Sequence, residues 1–425
     1  MKNVIYCPVS IGGIAEHIHY QSLALMRSAN SPLVICASDY LAGRRTDYRV
    51  LRIFAPEISP SESGNIVRRT QKLLLHAWKI VSDQFLFAIK IIQEKPDFVI
   101  IGWYGEYLAP LWVLPHWILA RFFKVIYVVN IHDPVRDFVV GPKWWHDLSV
   151  RMAYWPISVG VVHQRLQEPS PVPKHVHVVE APVGVYDLQE SAEDPEAIRA
   201  VWGVGGRKSE KLKMGKAESR NARGSRPSTL DTSGAADVVF LAFGFIRDNK
   251  NLDLVIRALV ENPSAVLVVM GRAQSKKDKP LEFYRNLAVE LGVQDRVKFF
   301  DGFVPDEKLA SYFAAADVVV LTYDGSFHSQ SGVLNVAARA RRPVLVSAGE
   351  SPLKDCVERF RLGVFVEPDN LRALQEGMNM VASHEWRAAS GEPDWEGYEA
   401  FASWDVNIAK ILEAVEDIRQ TKLKC

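Results

Sequence analysis

The sequence has few cysteines, almost no net charge and no long apolar run. Its four cysteines are widely spaced over 425 residues, without a Cys-x-x-Cys pair or a Cys/His group, which predicts reduced thiols in a cytosolic protein. The formal net charge is +1, so the chain has no overall electrostatic attraction for nucleic acid. No acidic pair of the DxD type is poised to hold a cation, and the sequence predicts no metal.

No stretch reaches the roughly 18 apolar residues that a membrane-spanning helix needs. The nearest approach is residues 107–123, which two prolines and Arg121 interrupt. The first residues also differ from a secretory signal peptide, because their apolar run is short and is broken by Pro8 and a glycine pair. We therefore expect a cytoplasmic location.

Short Val/Ile/Leu runs alternate with helix-length segments along the chain, and the alternation occurs twice. Continuous apolar runs are typical of strands buried on both faces, and strands alternating with helices form a parallel, doubly wound sheet. The sequence therefore predicts an α/β fold with two Rossmann-like domains, at residues 1–190 and 237–397. The predicted strands are Val4–Cys7, Pro32–Ala37, Phe98–Trp103, Val125–His132, Val159–His163, Val176–Val183, Asp237–Gly244, Ala265–Gly271, Arg296–Gly302, Asp317–Tyr323, Pro343–Ala348 and Gly363–Glu367.

Residues 203–236 separate the two halves and are rich in Gly, Ser, Lys and Arg. A segment with so few apolar side chains cannot offset its ordering entropy, so we expect a mobile basic insertion near the linker. It is either a solvated loop or a contact for anionic lipid or a partner. The last segment, 398–425, is helical by its apolar period.

The first candidate site segment is Gly244–Leu259, which follows a strand and leads into a helix. Gly244 allows a tight turn, and Arg247 and Lys250 then lie near a helix N-terminus, where N–H groups already favour an anion. A guanidinium can fork onto phosphate oxygens and an ammonium adds a point charge. The alternative is two ordinary surface cations in a βα loop.

The second candidate segment, Thr322–Ser347, joins two strands through a small polar loop and a helix that is predicted to start near Ser331–Gly332. Gln330, Ser331 and Gly332 offer the small side chains and open N–H groups that let a diphosphate approach. The alternative is a plain helix cap. Both segments follow strand ends of one open sheet, where ligands of this architecture bind.

These motifs resemble the GT-B-fold glycosyltransferases of the large retaining family that includes sucrose synthases and many bacterial polysaccharide enzymes. The resemblance rests on FGFIRDNKNLDLVIRA, the strand end VVMGRA at Gly271, the loop that starts at DGFVPDEK, and SQSGVLNVAARARRPVLVS. It implies two domains facing a cleft, with the C-terminal helix crossing back to the N-terminal domain. It also implies that Arg247 and Lys250 hold the donor diphosphate, that Phe303 and Val304 border the nucleobase, and that Ser331, Gly332 and Val333 bind phosphate.

The N-terminal half matches the same family more weakly. Gly12 and Gly13 resemble the glycine-rich loop that faces the diphosphate, and His132 with Asp133 resembles the His-bearing turn near the transferred sugar. A histidine after a buried strand is otherwise a capped structural residue.

Two further polar positions are candidates on the acceptor side. Glu106 follows another strand of this half and is a candidate base or binding group. His17 and Glu16 follow the glycine pair, and they face either the cleft or solvent.

One departure concerns two glutamates that the family commonly places eight residues apart around the second loop. The corresponding positions are His328 and Val336. Asn335 or Asp324 could supply the missing contacts, and a subset of the family has a QSG-type loop without both glutamates. The resemblance therefore carries no stereochemical outcome to this chain.

Seven of the eleven tryptophans fall between Trp78 and Trp155, interleaved with lysines and arginines. Such a mixture suits a membrane interface with anionic lipid. The alternatives are rings packed in the core and rings that stack on a sugar acceptor.

We therefore expect a glycosyltransferase that uses a UDP- or GDP-sugar, needs no other cofactor, and acts on a saccharide or lipid-linked saccharide for cell-surface polysaccharide or glycolipid. A peripheral position on the inner membrane face is compatible with this function. The rival hypothesis is a catalytically silent GT-B protein that binds nucleotide or scaffolds a complex; a hydrolase or epimerase on the same fold is a third.

Overall fold

The computed structural model describes residues 1–10, 12–56, 66–103, 105–132, 139–166, 170–188, 193–205, 238–275, 277–302 and 304–424. The chain forms two compact units. The first is Met1–Val185 together with Glu399–Cys425, and the second is Tyr186–Tyr398. From residue 206 onward, the predicted insertion lies outside the described residues.

Each unit contains one parallel sheet. The strands of the first are β1 Asn3–Cys7, β2 Leu33–Ala37, β3 Arg49–Phe54, β4 Phe98–Ile101, β5 Ile126–Ile131, β6 Ile157–Val162 and β7 His177–Glu180. The strands of the second are β8 Val238–Phe243, β9 Ala265–Met270, β10 Val297–Phe300, β11 Val318–Thr322, β12 Val344–Ser347 and β13 Gly363–Phe365.

The helices occupy the intervals between strands and the C-terminal segment. They are α1 Gly13–Arg27, α2 Ile66–Glu94, α3 Ala109–Phe122, α4 Lys143–Ala153, α5 Pro195–Val201, α6 Leu252–Ala258, α7 Leu281–Glu290, α8 Asp306–Ala315, α9 Gly332–Arg339, α10 Pro352–Arg359, α11 Leu371–Ala382, α12 Glu385–Ser390, α13 Trp395–Phe401 and α14 Trp404–Lys424.

The first sheet has the order β3-β2-β1-β4-β5-β6-β7. Strands β1, β2, β4 and β5 are buried along their whole length, as expected for strands covered on both faces. The strand order reverses between β1 and β4, so the loops that follow these two strands diverge and leave a crevice at the sheet edge.

The edge strand β3 was not predicted from sequence. It pairs with β2 in parallel, and its residues RVLRIF are mostly partly or fully exposed. An edge strand with one solvated side needs no continuous apolar run, so the signal that identified the other strands is missing here.

The C-terminal helix α14 packs in the first unit. The side chain of Asn407 accepts a hydrogen bond from Gln21 of α1 at 2.9 Å and donates one to the carbonyl of Pro182 at 2.8 Å. Trp404 stacks on Tyr20 with ring centroids 5.7 Å apart. The predicted single helix is broken between Phe401 and Trp404.

The second sheet has the order β10-β9-β8-β11-β12-β13, the doubly wound arrangement with its switch point between β8 and β11. One apolar core beneath it combines side chains of β8, β9, β11 and β12 with those of α6, α7 and α11. The carboxyl ends of β8 and β11 therefore carry the two loops that the sequence analysis singled out.

No helix in the described part of the chain is long and apolar enough to cross a membrane. The longest apolar candidate, residues 107–123, forms a short turn and α3, with Pro115 inside the helix.

Candidate functional site

Two loops meet at the switch point of the second sheet. The hydroxyl of Thr322, the last residue of β11, donates to the carbonyl of Lys250 at 3.0 Å. The backbone N–H of Asp324 donates to the carbonyl of Asn249 at 2.9 Å. These bonds fix the loop after β8 against the loop after β11.

Asp369 also joins the same two loops. Its carboxylate accepts from the side-chain amide of Asn251 at 2.8 Å and from the backbone N–H of Gly325 at 2.9 Å. Sequence reasoning missed this residue, which follows β13. The only signal was its position after a strand of the same sheet.

Gly244 lies next to two of the predicted phosphate residues, Lys250 and Val333. A methyl group placed on it would lie 3.6 Å from Nζ of Lys250 and 4.0 Å from a side-chain methyl of Val333. A methyl group on Gly271 would lie only 1.9 Å from the carbonyl oxygen of Gly244, and Gly271 has φ 152°. Glycine at position 271 therefore permits a close approach of two strand ends that a larger residue would separate.

Lys250 and Arg247 supply positive charge beside this point. The Nζ of Lys250 donates to the carbonyl of Phe243 at 3.2 Å, while Arg247 is exposed. Burial, and secondarily the charge of Arg247, lowers the pKa of Lys250 to about 8. Lys250 ends a short 3-10 turn, Asp248–Lys250, and directly precedes Asn251, the N-cap of α6. An anion bound here would relieve the repulsion between the two cations.

The predicted helix start is confirmed, because α9 begins at Gly332 with Ser331 as its N-cap. The Ser331 side chain does not cap the helix but contacts the buried hydroxyl of Tyr323 at 3.1 Å. Gly332 has no atom within 4 Å of where a Cβ would lie, so the approach to the first N–H groups of α9 is open. Such groups favour an anion.

The positions that replace the family's glutamates are engaged in the structure. The ring of His328 is hydrogen-bonded to the carbonyl of Glu350 at 2.9 Å, and Val336 is buried. Asp324 accepts bonds from the backbone and hydroxyl of Ser326. Asn335 is buried and accepts from the hydroxyl of Tyr398. The oxygen of Asn335 therefore already has a protein donor.

The remaining predicted donor residues lie around the same edge. Val304 follows β10, two strands from the switch point, and is partly buried. Gln330 directly precedes the N-cap of α9 and is also partly buried. Phe303 lies outside the described residues.

In the first unit, Gly12 and Gly13 form the start of α1. Gly12 is the N-cap with φ 90°, a conformation that favours glycine, and no side chain caps the helix there. A Cβ on either glycine would meet no atom within 4 Å. Glu16 in the first turn is bound by Arg44 at 2.6 and 2.8 Å, so its charge is already paired.

Three histidines come together at the carboxyl ends of β5 and β6, beside α1. One ring nitrogen from each of His17, His132 and His163 lies within 4.8 Å of the others. We call these residues the histidine cluster. His17 is buried and packs edge-on against Trp404, so it faces neither solvent nor an open surface. Sequence reasoning missed His163 and did not group the three; Asp133 lies outside the described residues.

Burial governs the electrostatics of the histidine cluster. It lowers the pKa of His17 well below its usual value, and the neighbouring histidines lower it further. Burial likewise lowers the pKa of His163 to about 4. Both rings are therefore neutral near pH 7. Glu106 is buried in a short turn after β4, at the same edge of the sheet.

The tryptophans between Trp78 and Trp155 lie partly in the core and partly on the surface. Trp112 is 2% exposed, whereas Trp78 is 70% and Trp144 is 66% exposed. The exposed apolar side chains of α2 and of α3 with its C-cap, which we call the apolar helix surface, are Leu73, Leu74, Leu75, Trp78, Phe85, Leu86, Ile89, Ile92, Leu111, Leu114, Trp117, Ile118, Phe122 and Phe123. Fourteen large apolar side chains are therefore exposed on α2, α3 and the C-cap of α3, and α2 contacts α3.

Comparison with known families identifies the second unit. Residues 233–390 match the family model of glycosyl transferases group 1. The match covers most of the second unit and none of the first. The matched region contains both loops of the switch point, Asp369 and the start of α9.

Curated relatives match this chain in sequence, and solved structures match it in fold. D-inositol 3-phosphate glycosyltransferase from Mycobacteroides abscessus is 36% identical over 134 residues, which span 31% of this chain and 29% of that relative. HepE from Anabaena, solved with UDP, aligns over 100% of both chains with TM-score 0.61 and 15% identity. Sucrose-phosphate synthase from Thermosynechococcus elongatus aligns over 100% of both chains with TM-score 0.61 and 16% identity. The GT-B fold predicted from the sequence is confirmed.

The buried histidines of the first unit predict a loss of stability in mild acid. The pKa of His17 is lowered, and the pKa values of His116 and His163 are about 4, whereas the unfolded rings titrate near about 6.5. The unfolded state therefore binds more protons below about pH 6.5, and stability is full above that pH. Each group removes up to about 1.4 kcal/mol per pH unit from the free energy of unfolding until its folded pKa is reached.

Urea unfolding at intervals between pH 7 and pH 5 measures this slope. His116→Gln is expected to lower the pH dependence of the unfolding free energy by the contribution of one buried histidine. His384→Gln, which replaces an exposed histidine, should leave that pH dependence unchanged. An unfolding free energy that does not fall between pH 7 and pH 5 would contradict the burial of these neutral rings.

Proposed function

We propose that this protein transfers a sugar from a nucleoside diphosphate sugar, with UDP or GDP as the leaving group, to a saccharide or lipid-linked saccharide. The observation that carries the proposal is that Lys250 and the open start of α9 meet at Gly244, with Arg247 in the same loop, at the switch point of the unit that matches glycosyl transferases group 1. Two cations and a helix N-terminus suit a diphosphate.

The chemistry follows from charge. When the bond between the sugar and the diphosphate breaks, negative charge develops on the leaving phosphate oxygen. Lys250, Arg247 and the N–H groups at Gly332 would stabilise that charge more strongly in the transition state than in the ground state. Because these groups are protein cations and dipoles, the step needs no metal at the diphosphate. The UDP bound to HepE supports UDP as one of the two donor nucleotides to test.

We also propose that the acceptor binds to the first unit. Glu106 and His17, the two acceptor-side candidates, lie at the carboxyl edge of its sheet, where ligands of this architecture bind. The match to the inositol phosphate relative covers 29% of that protein, so its acceptor is not carried over.

The apolar helix surface supports a membrane-bound acceptor. Leu73, Leu74 and Trp78 are 64%, 66% and 70% exposed, and Arg121 and Lys124 at the end of α3 are exposed beside Phe122 and Phe123. Apolar and aromatic side chains at headgroup depth, flanked by cations, bind anionic lipid. We propose that this surface lies on an anionic bilayer and brings the first unit to a lipid-linked acceptor.

A second candidate function is a catalytically silent nucleotide-binding protein. The observation that favours it is the engagement of His328 and Val336, which replace the family's two glutamates, within the protein itself. A silent protein would retain the diphosphate site and lack turnover.

Loss of either site cation is expected to weaken nucleotide binding. Arg247→Ala and Lys250→Ala should each lower affinity for UDP or GDP about 10- to 100-fold, because a hydrogen bond to a charged group contributes about 1.5–3 kcal/mol. With the pKa of Lys250 at about 8, affinity should be full below that pH and decline as pH rises above it, and Lys250→Gln should abolish this decline. Isothermal titration across pH 6.5–9 measures both effects.

Turnover is followed in the same preparation by incubating nucleotide sugars with membrane extract and measuring release of UDP and GDP. Lys308→Gln, whose cation pairs with Glu193 at 2.9 Å, is the matched control and should bind nucleotide normally. Binding without release from any donor would favour the silent protein. Unchanged affinity in both Arg247→Ala and Lys250→Ala would overturn the diphosphate site.

Membrane binding is tested by sedimentation with vesicles. The protein should sediment with vesicles of equal parts phosphatidylcholine and phosphatidylglycerol at low salt, less with phosphatidylcholine alone, and less as salt rises. The pair Leu74→Ser and Trp78→Ser should reduce binding, whereas Val289→Ser, which is 63% exposed on α7, should not. No sedimentation with anionic vesicles at low salt contradicts this proposal.

A further inference from the structure

We propose that the histidine cluster, His17, His132 and His163, is a binding site for a divalent transition-metal ion, with Zn²⁺ as the best fit. The three side chains come from separate elements: His17 from the first turns of α1, His132 from the end of β5, and His163 from the end of β6. Their ring centroids are 5.2, 5.1 and 6.0 Å apart. The site is in the first unit and does not depend on the proposed sugar transfer.

The spacing suits tetrahedral coordination. Zinc bound by histidine has Zn–N distances of about 2.0–2.1 Å, which places tetrahedral nitrogens about 3.4 Å apart. The three ring nitrogens already lie within 4.8 Å of one another. Side-chain rotations that move each nitrogen by about an ångström would bring them to the tetrahedral spacing. No change in the strands is needed.

The second ring nitrogen of His163 is oriented in the way that metal-binding histidines require. Nδ1 of His163 is hydrogen-bonded to the carbonyl of Ala181 at 2.8 Å, which makes Nδ1 the donor and leaves the lone pair on Nε2. The side chain of Asn130 lies beside His17 and partly offsets the lowering of its pKa. Gln21 holds Asn130 in turn through bonds of 2.9 and 3.2 Å. Such outer partners fix the tautomer and the ring orientation of metal ligands.

Two buried nitrogens point to a missing ligand. Among the residues that the structure describes, Nε2 of His17 and Nε2 of His163 are inaccessible to solvent and have no hydrogen-bond partner. His17 is 3% and His163 is 5% exposed. Burying an imidazole nitrogen without a hydrogen-bond partner costs free energy of folding. A cation bound to both Nε2 atoms would satisfy the two nitrogens at once.

The ligand set selects the class of metal. Three imidazole nitrogens suit zinc, copper, nickel or cobalt and not magnesium or calcium, which prefer oxygen. Zinc is the most common occupant of a three-histidine tetrahedral site, where the fourth position stays open for water or an anionic oxygen. Trp404 covers one side of His17 with a centroid distance of 4.7 Å, so the open position lies away from that ring.

The test uses the full chain, stripped with a chelator and then titrated with Zn²⁺ in competition with a chromogenic chelator. We expect one equivalent bound and a thermal midpoint that rises with zinc concentration, because a ligand that binds only the folded state stabilises it. Cobalt in place of zinc should give the intense visible bands of a tetrahedral ion. His17→Gln and His163→Gln should each weaken zinc affinity at least about 100-fold, since loss of a direct ligand exceeds the roughly 10- to 100-fold cost of losing an outer partner.

His177→Gln removes an exposed histidine of β7 in the same unit and is the matched control, which should bind zinc normally. Circular dichroism identifies any variant that fails to fold, and the zinc-dependent thermal shift of the unaltered protein tests the site without a variant. Absence of that shift together with no stoichiometric zinc binding overturns the proposal. So does zinc binding that is unchanged in both His17→Gln and His163→Gln, since the ion would then lie elsewhere.

Discussion

The candidate diphosphate site depends on the hydrogen bonds that hold two strand-end loops together. The donation from Thr322 to the carbonyl of Lys250 and the carboxylate of Asp369 between Asn251 and Gly325 fix these loops. With the loops fixed, Lys250 stays partly buried in the same loop as Arg247, and burial together with the charge of Arg247 lowers the pKa of Lys250 to about 8. The site is thus preorganised for negative charge, which is the form of stabilisation that accelerates a leaving group.

Close packing of backbone reinforces the same constraint. Gly271 lies so near the carbonyl of Gly244 that a methyl group would overlap it, and the open surface at Gly332 leaves the first turn of α9 accessible. The absence of a side chain has a different consequence at each of these two positions. At 271 it allows strands to approach each other, and at 332 it allows a ligand to approach the helix.

Most of the fold could be predicted from sequence because it is encoded in local patterns. Buried parallel strands require continuous apolar runs, and twelve such runs correspond to strands of the two sheets. The edge strand Arg49–Phe54 could not be found in this way, since two exposed arginines interrupt its apolar residues. The helix start at Gly332 was found because small polar residues before an apolar period are a local signal.

The candidate sites were less accessible to prediction, because they are assembled from distant parts of the chain. Arg247 and Lys250 share one loop, so spacing alone suggested them. Asp369 lies more than a hundred residues away from Asn251, and no local pattern links the two. His163 similarly meets His17 only after α1 and β6 have packed into one unit. Side-chain exposure at Trp78 and Trp112 is also set by packing, so tryptophan-rich composition did not distinguish surface from core.

The central claim is that the switch point of the second unit binds the donor diphosphate. A crystal structure of the protein soaked with UDP or GDP tests it most directly. The account predicts diphosphate oxygens within hydrogen-bond distance of the Lys250 ammonium, the Arg247 guanidinium and the first N–H groups of α9 at Gly332. A nucleotide bound elsewhere, or bound here with its diphosphate directed away from both cations, would contradict it.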